Sequence, residues 1–338
     1  MKVIDIHSHF LPAKWEDLGT KFGTPDWPSM KLLDGGKGML MLGERDYRPV
    51  YEACWDPEVR LSEMDRDGLS QQIISATPIL FAYERPAEQA LYCAQLFNDI
   101  ALEICAGGQG RLHAMAQVPL QDIDLSCKEA DRAMSCGHVG VQIGNHVGLK
   151  NLDDEGIITF LQHCAGEGIP VFVHPWDMMA SERTASYMMG WTVGMPAETQ
   201  LSIVSMILGG AFDRISKDLK ICFAHGGGSF VFLLGRLENA WQHRDIARGN
   251  SQHPPSHYLD RFFLDSAVFD EGSLGLLVGK MSEDRVMFGT DYPFPLGEQK
   301  MGQLVREASN LGEAAKRKIL SSNAAGFFNI SLGHGGLN

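Results

Sequence analysis

The sequence predicts an α/β fold of the (β/α)₈ TIM-barrel class, and the alternation of its segments is the main observation behind this prediction. Eight short β-rich runs alternate with segments of helical periodicity along nearly the whole chain. Parallel strands need crossover connections such as helices, and eight strands close a sheet into a barrel. A doubly wound open sheet is the structural alternative, because a count of strands separates the two poorly. The runs are Val3–His9, Gln71–Thr77, Leu112–Val118, Val139–Ile143, Pro170–His174, Leu219–Ala224, Phe262–Ser266 and Arg285–Gly289.

Three of the intervening segments carry clear helix signals. Asp56 is placed to cap a helix whose first residue is Pro57, a position that tolerates proline. The segment Pro86–Cys105 has apolar residues at helical spacing. The segment Asp153–Gly168 has the same spacing and ends at glycine, a residue typical of helix C-termini. These helices supply crossovers between the predicted strands.

Chain length and irregular segments complete the predicted organisation. A chain of 338 residues fits one elaborated barrel, so we expect a single domain over residues 1–338. Residues 12–51 predict a small insertion after strand 1. Met179–Glu198 predict a long loop after strand 5. Such loops leave the C-terminal face of a barrel, where the active site lies. Residues 298–330 predict C-terminal helices, and we expect the tail Ser331–Asn338 to be frayed.

Composition excludes several classes of partner. There are 29 Lys and Arg against 42 Asp and Glu, a formal charge of −13, which argues against binding to nucleic acid or to an anionic membrane. No apolar run reaches the roughly 20 residues of a membrane span. The seven cysteines form no CxxC pair and predict free thiols in a reducing compartment. We therefore expect a cytoplasmic protein.

The first candidate metal-binding feature is the segment Ile-His-Ser-His at the end of strand 1. Side chains alternate between the faces of a strand, so His7 and His9 should point the same way, with Asp5 and Val3 behind them. Two imidazoles directed into the mouth of a barrel from one strand end can share a metal ion. Taken alone, the pair fits two polar loop histidines equally well, because short motifs produce false positives.

Three further strands end on a polar residue in the same way. His174 follows strand 5, His225 follows strand 6 and Asp291 follows strand 8. Barrel enzymes carry their functional groups at this end of the strands. A single histidine at a strand end is more often structural, but four strand ends with these residues favour one common site.

The chemistry of these side chains predicts one zinc ion per chain, held by His7, His9, His174 and Asp291. Neutral imidazoles and a carboxylate are donors that Zn²⁺ prefers, and a catalytic site keeps a position for water. Zinc-bound water has a pKa of about 7, and His225 would be free to act on it as general base or acid. A second ion needs a bridging carboxylate, which the end of strand 4, Val-Gln-Ile-Gly-Asn-His, does not supply. Another divalent ion in place of zinc stays possible, because the order of metal affinities does not determine which metal a protein site binds.

Two arginines and four apolar residues are candidates for contact with a substrate. Arg48 and Arg236 are candidates because a guanidinium binds a carboxylate through two hydrogen bonds, although sequence alone favours a solvated surface position for each. The apolar candidates lie on or near loops at the barrel mouth, where such residues are just as often simple packing. They are Trp176, Met178, Trp191 and Phe294.

Seven motifs together resemble one family, the 2-amino-3-carboxymuconate-6-semialdehyde decarboxylases. This family is a non-hydrolytic branch of the amidohydrolase superfamily, and the resemblance covers the chain from Val3 to about Ile330. One departure is visible, because Gly190 precedes Trp191 where the family tends to have proline. The motifs are IDIHSH, YRPVYEACWDPEVR, VQIGNH, VHPWDMM, GMPAET, CFAHGGGSF and GTDYPFPLGE.

The resemblance implies roles for individual residues. The zinc ligands of the family fall on His7, His9, His174 and Asp291, and its catalytic histidine falls on His225. Its substrate-binding arginines fall on Arg48 and Arg236. The second arginine comes from the other subunit, so the resemblance implies a homodimer in which Arg236 reaches the neighbouring active site.

The resemblance also implies a reaction. It is the zinc-dependent, non-hydrolytic decarboxylation of a small dicarboxylate, 2-amino-3-carboxymuconate 6-semialdehyde, to 2-aminomuconate 6-semialdehyde and CO₂. The family works in tryptophan (kynurenine) or nitroaromatic catabolism. Three alternatives stay open: a related decarboxylase of hydroxybenzoates, a metal-dependent lactone or amide hydrolase, and a zinc-binding protein without catalysis. The metal ligands do not separate the enzymes, whereas the outer motifs favour the first reaction.

Overall fold

Eight parallel strands form the central sheet of the protein. The computed structural model describes residues 1–331. The strands pair in chain order, from β1 to β8. The Ile6 N–H donates to Phe288 O at 3.0 Å and the Asp291 N–H donates to His7 O at 2.9 Å, which closes the sheet between β8 and β1. The predicted barrel is therefore confirmed and an open sheet is excluded. The strands are β1 (Ile4–Phe10), β2 (Gln71–Ala76), β3 (Leu112–Gln117), β4 (Gly140–Gly144), β5 (Val171–His174), β6 (Ile221–Phe223), β7 (Phe263–Asp265) and β8 (Val286–Met287).

Strand β1 departs from the simple alternation of side chains. Ile6 packs in the apolar cluster inside the barrel, whereas Val3 packs in the outer core between sheet and helices. A β-bulge between Asp5 and Ser8 sets one extra residue of β1 against β2 and shifts the alternation by one position. The prediction that Val3 and Asp5 lie behind the two histidines is therefore wrong.

Seven helices follow the first seven strands and cover the outside of the barrel. Asp56 accepts a hydrogen bond from the Glu58 N–H at 2.7 Å, so the predicted N-cap is confirmed. Gly168 adopts the left-handed conformation that ends a helix, also as predicted. The helices are α1 (Pro57–Asp67), α2 (Ala87–Ala106), α3 (Ile123–Cys136), α4 (Glu155–Glu167), α5 (Met195–Leu208), α6 (Phe230–His243) and α7 (Glu271–Met281); a short helix, Ala211–Arg214, follows α5.

Two segments at the mouth of the barrel differ in their structure. The insertion after β1 contains the helix Leu18–Phe22 and an antiparallel sheet of the strands Pro28–Leu33, Lys37–Leu42 and Arg45–Tyr51. The segment after β5 is irregular only as far as residue 189, because a π-helical turn, Gly190–Gly194, leads directly into α5. The prediction of a loop over the whole of Met179–Glu198 is therefore wrong at its C-terminal end. Pro196 in the first turn favours the helix there.

Short helices from the C-terminal segment close the other end of the barrel. Phe327 and Phe328 pack against the inner apolar cluster, which contains Ile6 and Phe172. The prediction for the tail Ser331–Asn338 concerns residues 332–338, which lie outside the described part of the chain. Within residues 1–331, no helix is long and apolar enough to cross a membrane. All seven cysteines are free, as predicted. The C-terminal helical segments are Gln303–Glu307, Glu313–Arg317, Lys318–Ser322 and Asn323–Phe328.

Candidate metal centre

Four side chains at the mouth of the barrel converge on one point. His7 and His9 leave β1, His174 ends β5 and Asp291 follows β8. Their nearest donor atoms all lie within 4.8 Å of one another. The Nε2 atoms of His7 and His9 are 3.2 Å apart, and they lie 3.5 and 3.3 Å from Asp291 Oδ1. We call these four residues the ligand group.

A second contact orients each imidazole of the ligand group. His7 Nδ1 lies 2.6 Å from Asp265 Oδ2, and His174 Nδ1 lies 2.8 Å from Pro175 O. His9 Nδ1 lies 3.3 Å from Ser75 Oγ. With each Nδ1 engaged, the Nε2 atoms face the common point, and His174 Nε2 has no hydrogen-bond partner within the described residues. Converging lone pairs without donors fit a cation, so the group suits a metal ion.

Burial and side-chain contacts together set the charge states of the ligand group. Burial would lower the pKa of His7, but its contacts with Asp265 raise it. Burial lowers the pKa of His9 to about 4 and lowers that of His174 well below its ordinary value, so both rings are neutral at physiological pH. Burial would raise the pKa of Asp291, but the contacts of His225 and His9 hold it well below the ordinary range. Neutral imidazoles and an ionised carboxylate are the forms that bind divalent metals.

Asp265, at the end of β7, contacts the ligand group through His7, and the sequence did not point to it. Its carboxylate is fully buried and accepts hydrogen bonds from the Gly226 N–H at 2.8 Å and the Ala267 N–H at 3.1 Å, besides its contact with His7. Burial alone would raise the pKa of Asp265. Its contacts with His7 lower the pKa by a larger amount, so the net shift is downward. The signal was an acidic residue at the end of an apolar barrel strand.

His225 lies beside the ligand group without belonging to it. The centre of its ring is 5.0 Å from that of His7 and 5.1 Å from that of His174. Its Nε2 lies 3.7 Å from Asp291 Oδ2, longer than a hydrogen bond. Neither ring nitrogen has a hydrogen-bond partner in the described part of the chain. Both ring nitrogens are therefore available for contact with a bound molecule.

The three glycines after His225 allow the chain to turn close to the ligand group. Gly226–Gly228 all have positive φ, a conformation that glycine adopts without a steric penalty. A Cβ atom at Gly228 would lie only 2.0 Å from Pro196 O. The Gly226 N–H donates to Asp265, so the turn that carries His225 and the carboxylate behind His7 are linked directly.

Five of the six residues predicted to contact a substrate line a cavity of about 560 Å³ beside the ligand group. The Arg48 guanidinium lies 4.7 Å from the centre of the Phe294 ring and 5.5 Å from that of Trp191. The Phe294 ring is 5.5 Å from the His9 ring, so the arginine approaches the ligand group through one aromatic side chain. The five residues are Arg48, Trp176, Met178, Trp191 and Phe294.

Arg236 is the predicted contact that lies elsewhere. It is exposed on α6 and lines neither this cavity nor a second one of about 550 Å³ beside His225, as far as the described residues go. Phe232, one helical turn earlier on α6, lines the second cavity and is 77% exposed. The two cavities share Trp191, Met195, Asp291 and Leu296.

The barrel and its ligand group agree with a match to a known family. The model of the amidohydrolase family matches residues 4–330. This chain belongs to the amidohydrolase family. The matched range contains the ligand group, His225 and Asp265.

Individual relatives give a finer comparison. The 2-amino-3-carboxymuconate-6-semialdehyde decarboxylase of Dictyostelium discoideum is 39% identical over 97% of this chain and 91% of its own length. The protein of the same name from Caenorhabditis elegans is 30% identical over 97% of this chain and 94% of its own. The crystal structure of a dihydroxybenzoic acid decarboxylase from Polaromonas sp. JS666, with bound manganese and the inhibitor 2-nitroresorcinol, has a TM-score of 0.77 at 21% identity and covers 97% of both chains. That structural likeness shows the shared fold.

These findings confirm the resemblance seen in the sequence motifs. The amidohydrolase described here is a carboxy-lyase, in agreement with its two curated relatives. It combines the barrel of the family with a three-histidine, one-aspartate group able to hold a metal ion.

Proposed function

We propose that this amidohydrolase decarboxylates 2-amino-3-carboxymuconate 6-semialdehyde to 2-aminomuconate 6-semialdehyde and CO₂, with the help of zinc. The observation that supports this most is His225, which has no hydrogen-bond partner in the described part of the chain and lines the second cavity, while Arg48 lines the adjoining one. The identity to two enzymes of that name supports the substrate. The reaction belongs to tryptophan (kynurenine) or nitroaromatic catabolism, and we expect it to take place in the cytoplasm.

We propose one Zn²⁺ per subunit, held by His7, His9, His174 and Asp291. When bound, the ion supplies a Lewis acid that polarises an oxygen and lowers the pKa of water to about 7. The protein prepares the donors for it. Asp265 keeps the proton of His7 on Nδ1 and directs the Nε2 lone pair toward the common point.

His225 is the residue that we propose to move protons. Loss of a carboxylate as CO₂ leaves an electron pair on carbon, and a proton must take its place. An imidazole nitrogen can both accept and donate a proton, so His225 can take a proton from water and deliver it to that carbon. Its ring nitrogens, which have no hydrogen-bond partner in the described residues, and its place in the lining of the second cavity support this role. Replacement by alanine should lower kcat by about 10²–10⁴-fold while the ligand group still binds zinc.

Arg48 and the cavity side chains are proposed to bind the substrate. The guanidinium between Trp191 and Phe294 is suited to a bidentate contact with one of the two carboxylates. The flat faces of Trp176 and Phe294 and the thioether of Met178 suit a planar conjugated chain. A local arginine is needed because the overall charge of −13 repels dianions.

We propose a homodimer in which Arg236 reaches the active site of the neighbouring subunit. Its position on an exposed face of α6, one turn from the exposed Phe232, supports contact with a second copy of the chain. Subunits with His225→Ala and subunits with Arg236→Ala should each be nearly inactive alone. Mixed dimers should regain activity, because one of their two sites then has both residues. A mixture that stays inactive would contradict the proposal that Arg236 acts in the active site of the neighbouring subunit.

The experiment that tests the proposed function is decarboxylation of freshly generated 2-amino-3-carboxymuconate 6-semialdehyde. Loss of substrate absorbance and release of CO₂ are followed with metal-stripped, zinc-reloaded and manganese-reloaded protein. Rapid CO₂ release by the zinc-reloaded protein alone would support substrate and metal together. If the reloaded protein leaves this substrate intact but decarboxylates a hydroxybenzoate, the substrate assignment is wrong and the class of reaction stands.

A further inference from the structure

Glu198, in the first turn of α5, is a buried carboxylate that the proposed chemistry does not use. Its Oε1 accepts a hydrogen bond from the Met179 N–H at 2.7 Å, and its Oε2 accepts one from Asn145 Nδ2 at 2.6 Å. The Oδ1 of Asn145 in turn accepts from the Trp176 N–H at 2.9 Å. Glu198 is only 4% exposed and Asn145 2%, so water does not replace these partners.

Three hydrogen bonds thus link the Trp176 N–H, Asn145, Glu198 and the Met179 N–H in series. The order of donors and acceptors in this series requires one carboxylate. Both ends are backbone N–H groups, those of Trp176 and Met179, and these can only donate. The Asn145 atom facing Trp176 must therefore be its oxygen, so its NH₂ group faces Glu198. Glu198 then meets a donor on each side, and only a carboxylate accepts on both oxygens. Burial raises the pKa of Glu198, although the hydrogen bonds from the Met179 N–H and the Asn145 amide favour the ionised form.

The segment between the two ends of this chain of bonds forms part of the cavity wall. Trp176, Asp177 and Met178 all line the cavity beside the ligand group. The backbone is strained here, because Asp177 has a φ of 43°. The hydrogen bonds from both flanks therefore hold a conformation that the segment does not favour by itself.

We propose that Glu198 and Asn145 are positioning residues that fix the Trp176–Met179 wall of the cavity for substrate binding. Because the network spans three elements, the end of β4, the segment after β5 and the start of α5, it couples the wall to the barrel. The inference rests on the proposed function only in treating this cavity as the substrate site. Because Glu198 itself bonds the Met179 N–H, and neither His225 nor a residue of the ligand group, loss of its carboxylate raises KM more than it lowers kcat.

An exchange of the carboxylate and the amide tests this directly. Glu198→Gln presents a donor to a donor, whichever way either amide turns. Asn145→Asp sets two carboxylates against each other across the 2.6 Å contact. The double variant N145D/E198Q restores the pattern. The carboxylate now at position 145 accepts from the Trp176 N–H and from the amide now at position 198, and the oxygen of that amide accepts from the Met179 N–H.

Glu129→Gln is the matched control for the carboxylate-to-amide change. This buried carboxylate also accepts a hydrogen bond from an asparagine, Asn98, at 2.7 Å. Glu129 lies on α3 and outside the cavity, so the control removes a similar bond, together with an ion pair to Arg132, from a region that does not hold the wall.

Two readouts are measured on the zinc-loaded dimer. Glu198→Gln should raise KM about tenfold with kcat within about twofold, and the double variant should return KM to within about threefold of the original. Hydrogen exchange of a peptide covering residues 175–180 should speed up about tenfold in Glu198→Gln and recover in the double variant. Glu129→Gln should leave both readouts unchanged.

Several outcomes would overturn the proposal. They are an unchanged KM and exchange rate in Glu198→Gln, no recovery in the double variant, or equal effects in Glu129→Gln. If the single variants do not fold, exchange in the original protein decides: Trp176 and Met179 amides that exchange as fast as an unstructured peptide contradict the network. If the original protein does not act on the proposed substrate, the exchange readout still tests Glu198 separately from the function.

Discussion

The ligand group and the cavity wall lie side by side but are held by different kinds of structure. His7, His9 and His174 are on strands, are almost fully buried, and each has a second partner on its other ring nitrogen. Arg48 and Trp191 lie on the insertion and on the turn before α5, are partly exposed, and contact other cavity side chains through ring faces. Strand ends thus hold the ligand group, while the residues proposed to bind the substrate come from loops and the insertion.

The largest expected effect comes from breaking the ligand group. His174→Ala removes one of the converging donors, and we expect decarboxylation to fall to the rate of the metal-stripped protein. Metal analysis should show much less than one zinc per chain, because the remaining three ligands bind the ion weakly. A variant that keeps both its zinc and its activity would remove His174 from the ligand group.

A smaller effect is expected behind the ligand group. Asp265→Asn weakens the acceptor that holds the His7 proton on Nδ1. Residues that hydrogen-bond to a metal ligand typically contribute about 10–100-fold to metal affinity or activity, so we expect a loss of that size. Competition with a chelator measures the affinity. Asp245→Asn is the control, because this carboxylate is 96% exposed and lies outside both cavities. Equal affinities for the two variants would contradict the role of Asp265.

The strand ends could be predicted from the sequence because each carries a local signal. An apolar run followed by a polar residue identifies His174, His225 and Asp291 without knowledge of any partner. Asp265 has a comparable signal, but its meaning depends on His7, which is 258 positions away along the chain. The β-bulge in β1 depends likewise on its register with β2. Such features are set by pairing, which one strand alone does not specify.

The cavity wall was less predictable, for a related physical reason. Arg48 lies among exposed residues of the insertion, and only the resemblance to a family favoured substrate binding over a surface position for it. Its position depends on how the antiparallel sheet of the insertion folds over the barrel mouth, next to Trp191 and Phe294. The Glu198–Asn145 contact joins residues 53 positions apart and leaves no periodic pattern in either segment.

On the cavity side, Arg48 should matter for binding and not for the metal. Arg48→Met removes a charged pair of hydrogen-bond donors, and we expect KM to rise about 10- to 100-fold with an unchanged zinc content. Arg45→Met is the control, because it lies on the same strand but is 75% exposed and outside the cavity. A fall in zinc content with Arg48→Met would show that the two sides of the site are not independent.

The smallest expected effect concerns the aromatic contact of Arg48. Trp191→Phe keeps an apolar ring beside the guanidinium but weakens the cation–π interaction, since tryptophan has the most favourable ring face. We expect KM to rise about two- to fivefold, in line with roughly 0.5–1 kcal/mol for such a contact. Trp241→Phe is matched to it, because Arg248 lies 5.1 Å from that ring and Trp241 is outside both cavities. If Trp191→Phe lowers kcat instead, the turn before α5 takes part in the chemical step, and the separation between the ligand group at the strand ends and the cavity wall does not hold there.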